Sequence, residues 1–187
     1  MADLKAALAA IDAANAADPT LEDGRPAALL YGERMSAELA RLFPDASDVL
    51  EIAARGQHVE RWLLARGAYP EGKAGYLEWR REQGRRHAAR VAGIMAEAGY
   101  DAEAQARVGV LLRKEGIKRD PEVQALEDVI CFVFLRFYFA GFAAKHEAEA
   151  VVDIVAKTAR KMSEGGRARV LAEFDLPPAL AAAVQGA

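Results

Sequence analysis

Val129-Ile130-Cys131-Phe132-Val133-Phe134-Leu135-Arg136-Phe137-Tyr138-Phe139-Ala140-Gly141-Phe142-Ala143-Ala144 is the greasiest stretch of the chain. Interrupted by Arg136 and 16 residues long, it is too short and too charged to cross a hydrocarbon core of roughly 30 Å. Five phenylalanines, at 132, 134, 137, 139 and 142, point to several faces at once, as in a helix surrounded by other helices. Just upstream, Asp120-Pro121-Glu122 supplies a cap, a proline at the first helical position and an acid near the positive end of the dipole. The stretch therefore reads as the buried central helix of an all-α protein, spanning about 121–146.

Outward from it, prolines cluster toward the two ends, and Pro121 is the only one between residues 71 and 176. Long helices belong in that middle. Hydrophobic periodicity gives helices near 3–16, 27–42, 46–67, 76–98, 102–115, 148–163 and 167–175, with a short tail after Pro178. Gly99 ends the stripe Val91, Ile94, Met95, Ala98, and Asp101 opens the next helix. Gly116 closes that one.

The 187 residues suit one domain. Hydrophobic residues at 52% and charged ones at 28% are a globular balance. A net charge of -3 and a pI near 5.7 offer no global attraction to nucleic acid or anionic lipid. The single Cys131 excludes an internal disulfide and fits a reducing compartment, and no basic-then-apolar leader opens the chain, so a cytoplasmic protein is expected. Charge is uneven: residues 1–50 carry four basic and nine acidic side chains, whereas residues 55–90 carry nine basic and four acidic ones.

That basic region contains Arg55-Gly56-Gln57-His58-Val59-Glu60-Arg61-Trp62. On a helix, Arg55 and Arg61 would flank His58 three residues to either side. Like charges disfavour protonation, so His58 should be neutral at pH 7. Guanidinium forks suit phosphate or carboxylate. His87 begins the inward stripe of the following helix, which Arg80 and Gly84 continue backwards. Glu127 and Asp128 fall where at least one must approach the core and needs a partner, with Lys114, Lys118, Arg55, Arg61 or a metal as candidates. Lys157 and Lys161 lie one turn apart on one predicted helix face. Walker, GxGxxG, GxSxG and HExxH motifs are absent, which removes P-loop, Rossmann, α/β-hydrolase and zincin readings.

The run from Arg86-His87 to Asp128 resembles the core of the HD phosphohydrolase superfamily: His87 matches the first-His helix, Val110-Leu111-Leu112 the approach to the His-Asp pair, and Asp128 the last Asp. Arg113-Lys114 replaces the pair itself. More closely, the chain resembles the family called Domain of Unknown Function 4202, in Asn15 to Pro19, Arg55-Gly56-Gln57-His58, Arg61-Trp62, Tyr69-Pro70, Gly75 to Arg80, His87, Lys114, Lys118, Asp120-Pro121-Glu122, Gln124, Leu126-Glu127-Asp128, Lys157-Thr158 and Lys161-Met162-Ser163. These likenesses imply a single HD-like helical domain over 1–187, with the acidic helices of 1–50 packed on a core of roughly 51–175.

The resulting expectation is a cavity in which His58, His87, Lys114, Glu127 and Asp128 are the catalytic candidates. Arg55, Gln57, Arg61, Trp62, Arg80, Lys118, Lys157 and Lys161 would bind a small anionic, phosphorylated or nucleotide-like molecule, with hydrolysis as the reaction. A variant places a divalent Fe, Mn or Zn on His58, His87 and Asp128, with Glu127 as the alternative acid and His146 as a further candidate ligand. The alternative is a non-catalytic ligand-binding or protein-interaction module that has lost the HD metal centre. No membrane partner is expected, and nucleic acid binding through residues 55–90 ranks last.

Overall fold

A computed structural model describes all 187 residues. Ten α-helices and one two-stranded ribbon make the class all-α. The helices gather into two compact units, Met1–Glu115 and Gly116–Ala187. No helix is long and apolar enough to cross a membrane.

In the first unit, α1 (Leu4–Asn15) starts where the Asp3 carboxylate accepts the Ala6 amide, and buries Ala7, Ile11 and Asn15 at four-residue spacing. The short ribbon β1 (Leu21–Glu22) and β2 (Arg25–Pro26) turns through Asp23 and Gly24, both at positive φ (52° and 75°), the geometry that Asp-Gly favours in two-residue hairpins. Buried Asp18 accepts from the amides of Thr20 and Ala28 at 2.9 Å each, which ties the ribbon to the start of α2 (Ala27–Leu42). Met35 and Leu39 of α2 are sealed in the core, each stabilising the fold by about 1.5–3 kcal/mol.

The expected helix 46–67 is cut short. Helix α3 (Asp48–Arg55), capped by Ser47, ends at Gly56. A Cβ at Gly56 would lie 2.6 Å from Val91 Cγ2, so this position takes no side chain in the existing packing. The chain then passes through turns, with Glu60 left-handed (φ 51°), into 3-10 turns at Arg61–Leu63 and Arg66–Ala68. Helix α4 (Gly72–Glu97) follows and packs along α5 (Ala102–Arg113). Asp101 caps α5 by accepting from the Ala104 amide, as its sequence position suggests. Along α4 the buried positions Gly75, Trp79, Gln83, His87, Val91 and Met95 recur every four residues.

In the second unit, Asp120 caps α6 (Pro121–Val133) with Pro121 in the first turn. The expected continuous helix to 146 is instead α6, a π-helical turn at Phe134–Tyr138 and α7 (Phe139–Ala143). Burial holds only through Val133. Of the five phenylalanines Phe132 alone is fully buried, and Phe137 is 42% exposed. Past the π turn the aromatics pack on one another: Phe134 meets Phe139 and Phe142 edge-on, and Phe142 stacks on His146. Helices α8 (Ala148–Ala159), α9 (Glu164–Glu173) and α10 (Pro178–Gln185) complete this unit. Its buried side chains include Leu126, Val155, Met162, Val170 and Val184.

Candidate functional site

The first unit brings both predicted imidazoles together. His58 stands in the turn after α3, His87 on α4, and their ring centroids are 6.3 Å apart. Tyr31 of α2 stacks on His58 at 3.9 Å and 14°. Three successive rungs of the α4 ladder hold the turn by its backbone. The Trp79 indole donates to the Leu64 carbonyl at 3.0 Å, the Gln83 amide donates to the carbonyls of Arg61 and Leu64 at 2.9 and 3.2 Å, and the His87 ring hydrogen-bonds the Gln57 backbone. Thus the segment that carries His58 and Arg61 is fixed although it is not helical.

Both imidazoles are held neutral. Burial pushes His58 well below its ordinary value, assisted by Arg61, His87, Lys114 and Arg80 in that order. Burial likewise lowers His87 to about 3, with Arg61 acting in the same direction and the Gln57 hydrogen bond opposing. Sequence reasoning attributed His58 neutrality to flanking arginines; desolvation comes first. With one ring nitrogen of His87 bonded to Gln57, the other, Nε2, is buried and has no partner. The side-chain oxygen of Gln57 is also buried without a partner.

Arg61 is the cation at the centre. Its guanidinium lies 4.6 Å over the Trp79 ring. Burial and the nearby charge of Arg80 both lower its pKa, and neither arginine is ion-paired with a carboxylate. Arg80 reaches over the Tyr76 ring at 5.8 Å. Lys114, in the left-handed conformation at the end of α5 (φ 58°), adds its charge to the field at His58. Half-buried Trp62 follows Arg61 in the 3-10 turn.

Arg55 is not part of this cluster. Its guanidinium grips the Asp12 carboxylate through two bonds of 2.6 Å. The symmetric flanking of His58 required a continuous helix, and α3 ends at Arg55 with Gly56 as its C-cap. Tyr31, Tyr76, Trp79 and Gln83 were missed by sequence reasoning. The signal for two of them was the four-residue spacing of Trp79, Gln83 and His87, polar or amphipathic groups on a stripe that otherwise buries aliphatic ones.

The remaining candidates lie in the second unit. Glu127 and Asp128 are both buried on α6, at 4% and 3% exposure. Asp128 takes neutral donors in place of the expected lysine or metal: the Ser163 amide at 2.8 Å, the Ser163 hydroxyl at 2.5 Å and the Gln124 amide at 3.1 Å. Ser163 in turn caps α9 by accepting from the Gly166 amide at 2.9 Å, so the carboxylate secures the start of that helix, where its charge is favourable. The Lys118 ammonium donates to the Met162 carbonyl. Lys157 pairs with Asp153 one turn back. Lys161 falls beyond the end of α8 and does not share a helical face with it, and its carbonyl accepts from Gln124.

The metal set of HD phosphohydrolases does not fit these residues. Both Asp128 oxygens are engaged by Ser163 and Gln124, the His-Asp position is occupied by Arg113, paired with Glu115 at 2.7 Å, and cationic Lys114, and no group of three or more His, Cys, Asp or Glu converges in a way that could hold a metal.

A model of the family described as Domain of unknown function (DUF4202) matches residues 5–184. The chain belongs to that family. No curated protein and no solved structure matches it. The DUF4202 match extends over both units, so it takes in the imidazole pair and its arginines as well as the Asp128 and Ser163 network.

Proposed function

We propose that the first unit binds a small phosphorylated anion at Arg61 and Arg80, beside the neutral imidazoles of His58 and His87. One observation carries this reading: Arg61 is largely withdrawn from water yet lacks a carboxylate partner, and a second guanidinium without one stands nearby. A desolvated cation without a counter-charge is costly. A phosphate offers both arginines the planar oxygen pairs that their forks match. Binding is favoured over hydrolysis because the two imidazoles are weakly basic here and Asp128 is engaged in holding α9, leaving the cluster rich in cations and poor in strong bases. A cytoplasmic setting suits the lone, buried thiol of Cys131.

Calorimetric titration with n-propyl phosphate at pH 7 tests the reading. Arg61→Ala should weaken binding about ten- to a hundredfold, the loss of a charge-assisted hydrogen bond of roughly 1.5–3 kcal/mol. Arg55→Ala should retain affinity because Asp12 already occupies that guanidinium. Equal affinity of wild type and Arg61→Ala, or no heat of binding with millimolar n-propyl phosphate, glycerol 3-phosphate or ribose 5-phosphate, refutes the proposal.

A further inference from the structure

Cations alone would describe a site for any small anion, but the same site also contains buried acceptors. His87 is 4% exposed, its ring is bonded to the Gln57 backbone through one nitrogen, and Nε2 faces no donor from the protein. Since one nitrogen donates to Gln57, Nε2 of the neutral ring offers only a lone pair. The ring is 6.3 Å from His58 and lies within the field of Arg61. A second acceptor, Gln57 Oε1, is on the same turn, on a residue 7% exposed, and is likewise without a partner. Buried acceptors are satisfied in the great majority of folded proteins, and no side chain of the first unit fills this role.

We propose that the ligand of this site is a hydroxylated organic phosphate, whose phosphate meets Arg61 and Arg80 and whose hydroxyl donates to His87 Nε2. The inference rests on the anion reading above and narrows it to a class. The dianion of a simple alkyl phosphate brings no hydroxyl donor, and binding it leaves Nε2 unpaired in a site from which water has been displaced. Sites built to hydrogen-bond a hydroxyl reject analogues that lack it far more strongly than apolar pockets reject a missing methylene. His87 is in this account the specificity-determining residue and Arg61 the affinity-determining one. The α4 ladder places both: Gln83 holds the carbonyl of Arg61 while His87, one turn on, holds the backbone of Gln57.

The test is a calorimetric comparison, on the full chain at pH 7, of glycerol 3-phosphate and ribose 5-phosphate with n-propyl phosphate. Wild type should prefer at least one hydroxylated phosphate by about tenfold or more. In His87→Leu that preference should collapse to about one, and in His87→Gln, which restores an acceptor, it should return in part. Should His87→Leu fail to fold, the wild-type ratio and the His87→Gln ratio decide. Equal binding of all three phosphates by wild type overturns this inference and leaves the anion reading standing. A preference that survives undiminished in His87→Leu or in a folded His87→Phe overturns it as well. No binding of any of them overturns the anion reading and this one with it.

Discussion

Replacing Asp128 by Ala separates a structural from a catalytic role for the most deeply buried acid of α6. The carboxylate accepts the Ser163 amide at 2.8 Å, the Ser163 hydroxyl at 2.5 Å and the Gln124 amide at 3.1 Å, and it is 3% exposed. Removal strands the Ser163 amide and unties the hydroxyl that caps α9. Each buried donor left unsatisfied costs about 1–3 kcal/mol, and the surroundings are only part-buried, so the loss should be about 3 kcal/mol in all. For a chain of this size that lowers the melting temperature by about 6–12 °C. Gly166→Ala should act in the same direction, because its Cβ would stand 2.9 Å from the Asp128 carboxylate carbon. Asp128→Asn, which keeps the shape and one acceptor, should lose less than either. Differential scanning calorimetry of the three variants reads this order. If Asp128→Ala melts within about 2 °C of wild type, the carboxylate does not secure α9 and its assignment as a structural group is wrong.

Two further outcomes follow from the geometry of the first unit. Gly56→Ala drives a methyl to within 2.6 Å of Val91 Cγ2 and 3.2 Å of the Ile52 carbonyl, so urea denaturation should show a loss of about 1–3 kcal/mol; adding Val91→Ala should recover part of it, and a plain sum of the two single losses would refute the clash. His87 has a folded-state pKa lowered to about 3, against about 6.5 in the unfolded chain. The unfolded state therefore binds more protons between those limits, so the contribution of His87 is fully present above pH 6.5 and is lost as pH falls toward 3. Its Cε1 proton resonance should stay fixed between pH 8 and pH 5; a midpoint near 6.5 would show that the ring is not buried as described.

Much of the architecture was legible because it rests on local chemistry. The range 27–42, the caps Asp101 and Asp120 and the proline after the latter are read from neighbouring residues, and the structure places them there. The hairpin at Leu21–Pro26 was also local, signalled by Asp23-Gly24, but a helical reading of the flanks passed over it. The break of 46–67 at Gly56 depends on Val91, which lies 35 residues further along the sequence, so periodicity alone could not reveal it. The same holds for Arg55, whose partner Asp12 is 43 residues away. The π turn at Phe134–Tyr138 has no residue signature at all; an unbroken apolar run reads as an unbroken helix. Of the candidate site, the inward position of His87 follows from the spacing of its stripe, and the neutrality of His58 was expected from a flanking by arginines that the broken helix removes, whereas the Tyr31 stack and the backbone grip of Gln83 depend on the tertiary fold.

The most direct test of the anion site is to watch the two imidazoles and the arginine side chains while phosphate is added. In proton–nitrogen correlation spectra at pH 7, a titration with n-propyl phosphate should shift the ring signals of His58 and His87 and the Nε–H signals of Arg61 and Arg80 along one saturating curve, while Arg55 Nε–H, held by Asp12, stays in place. Saturating shifts confined to other residues, or none at the imidazole pair, would contradict the account.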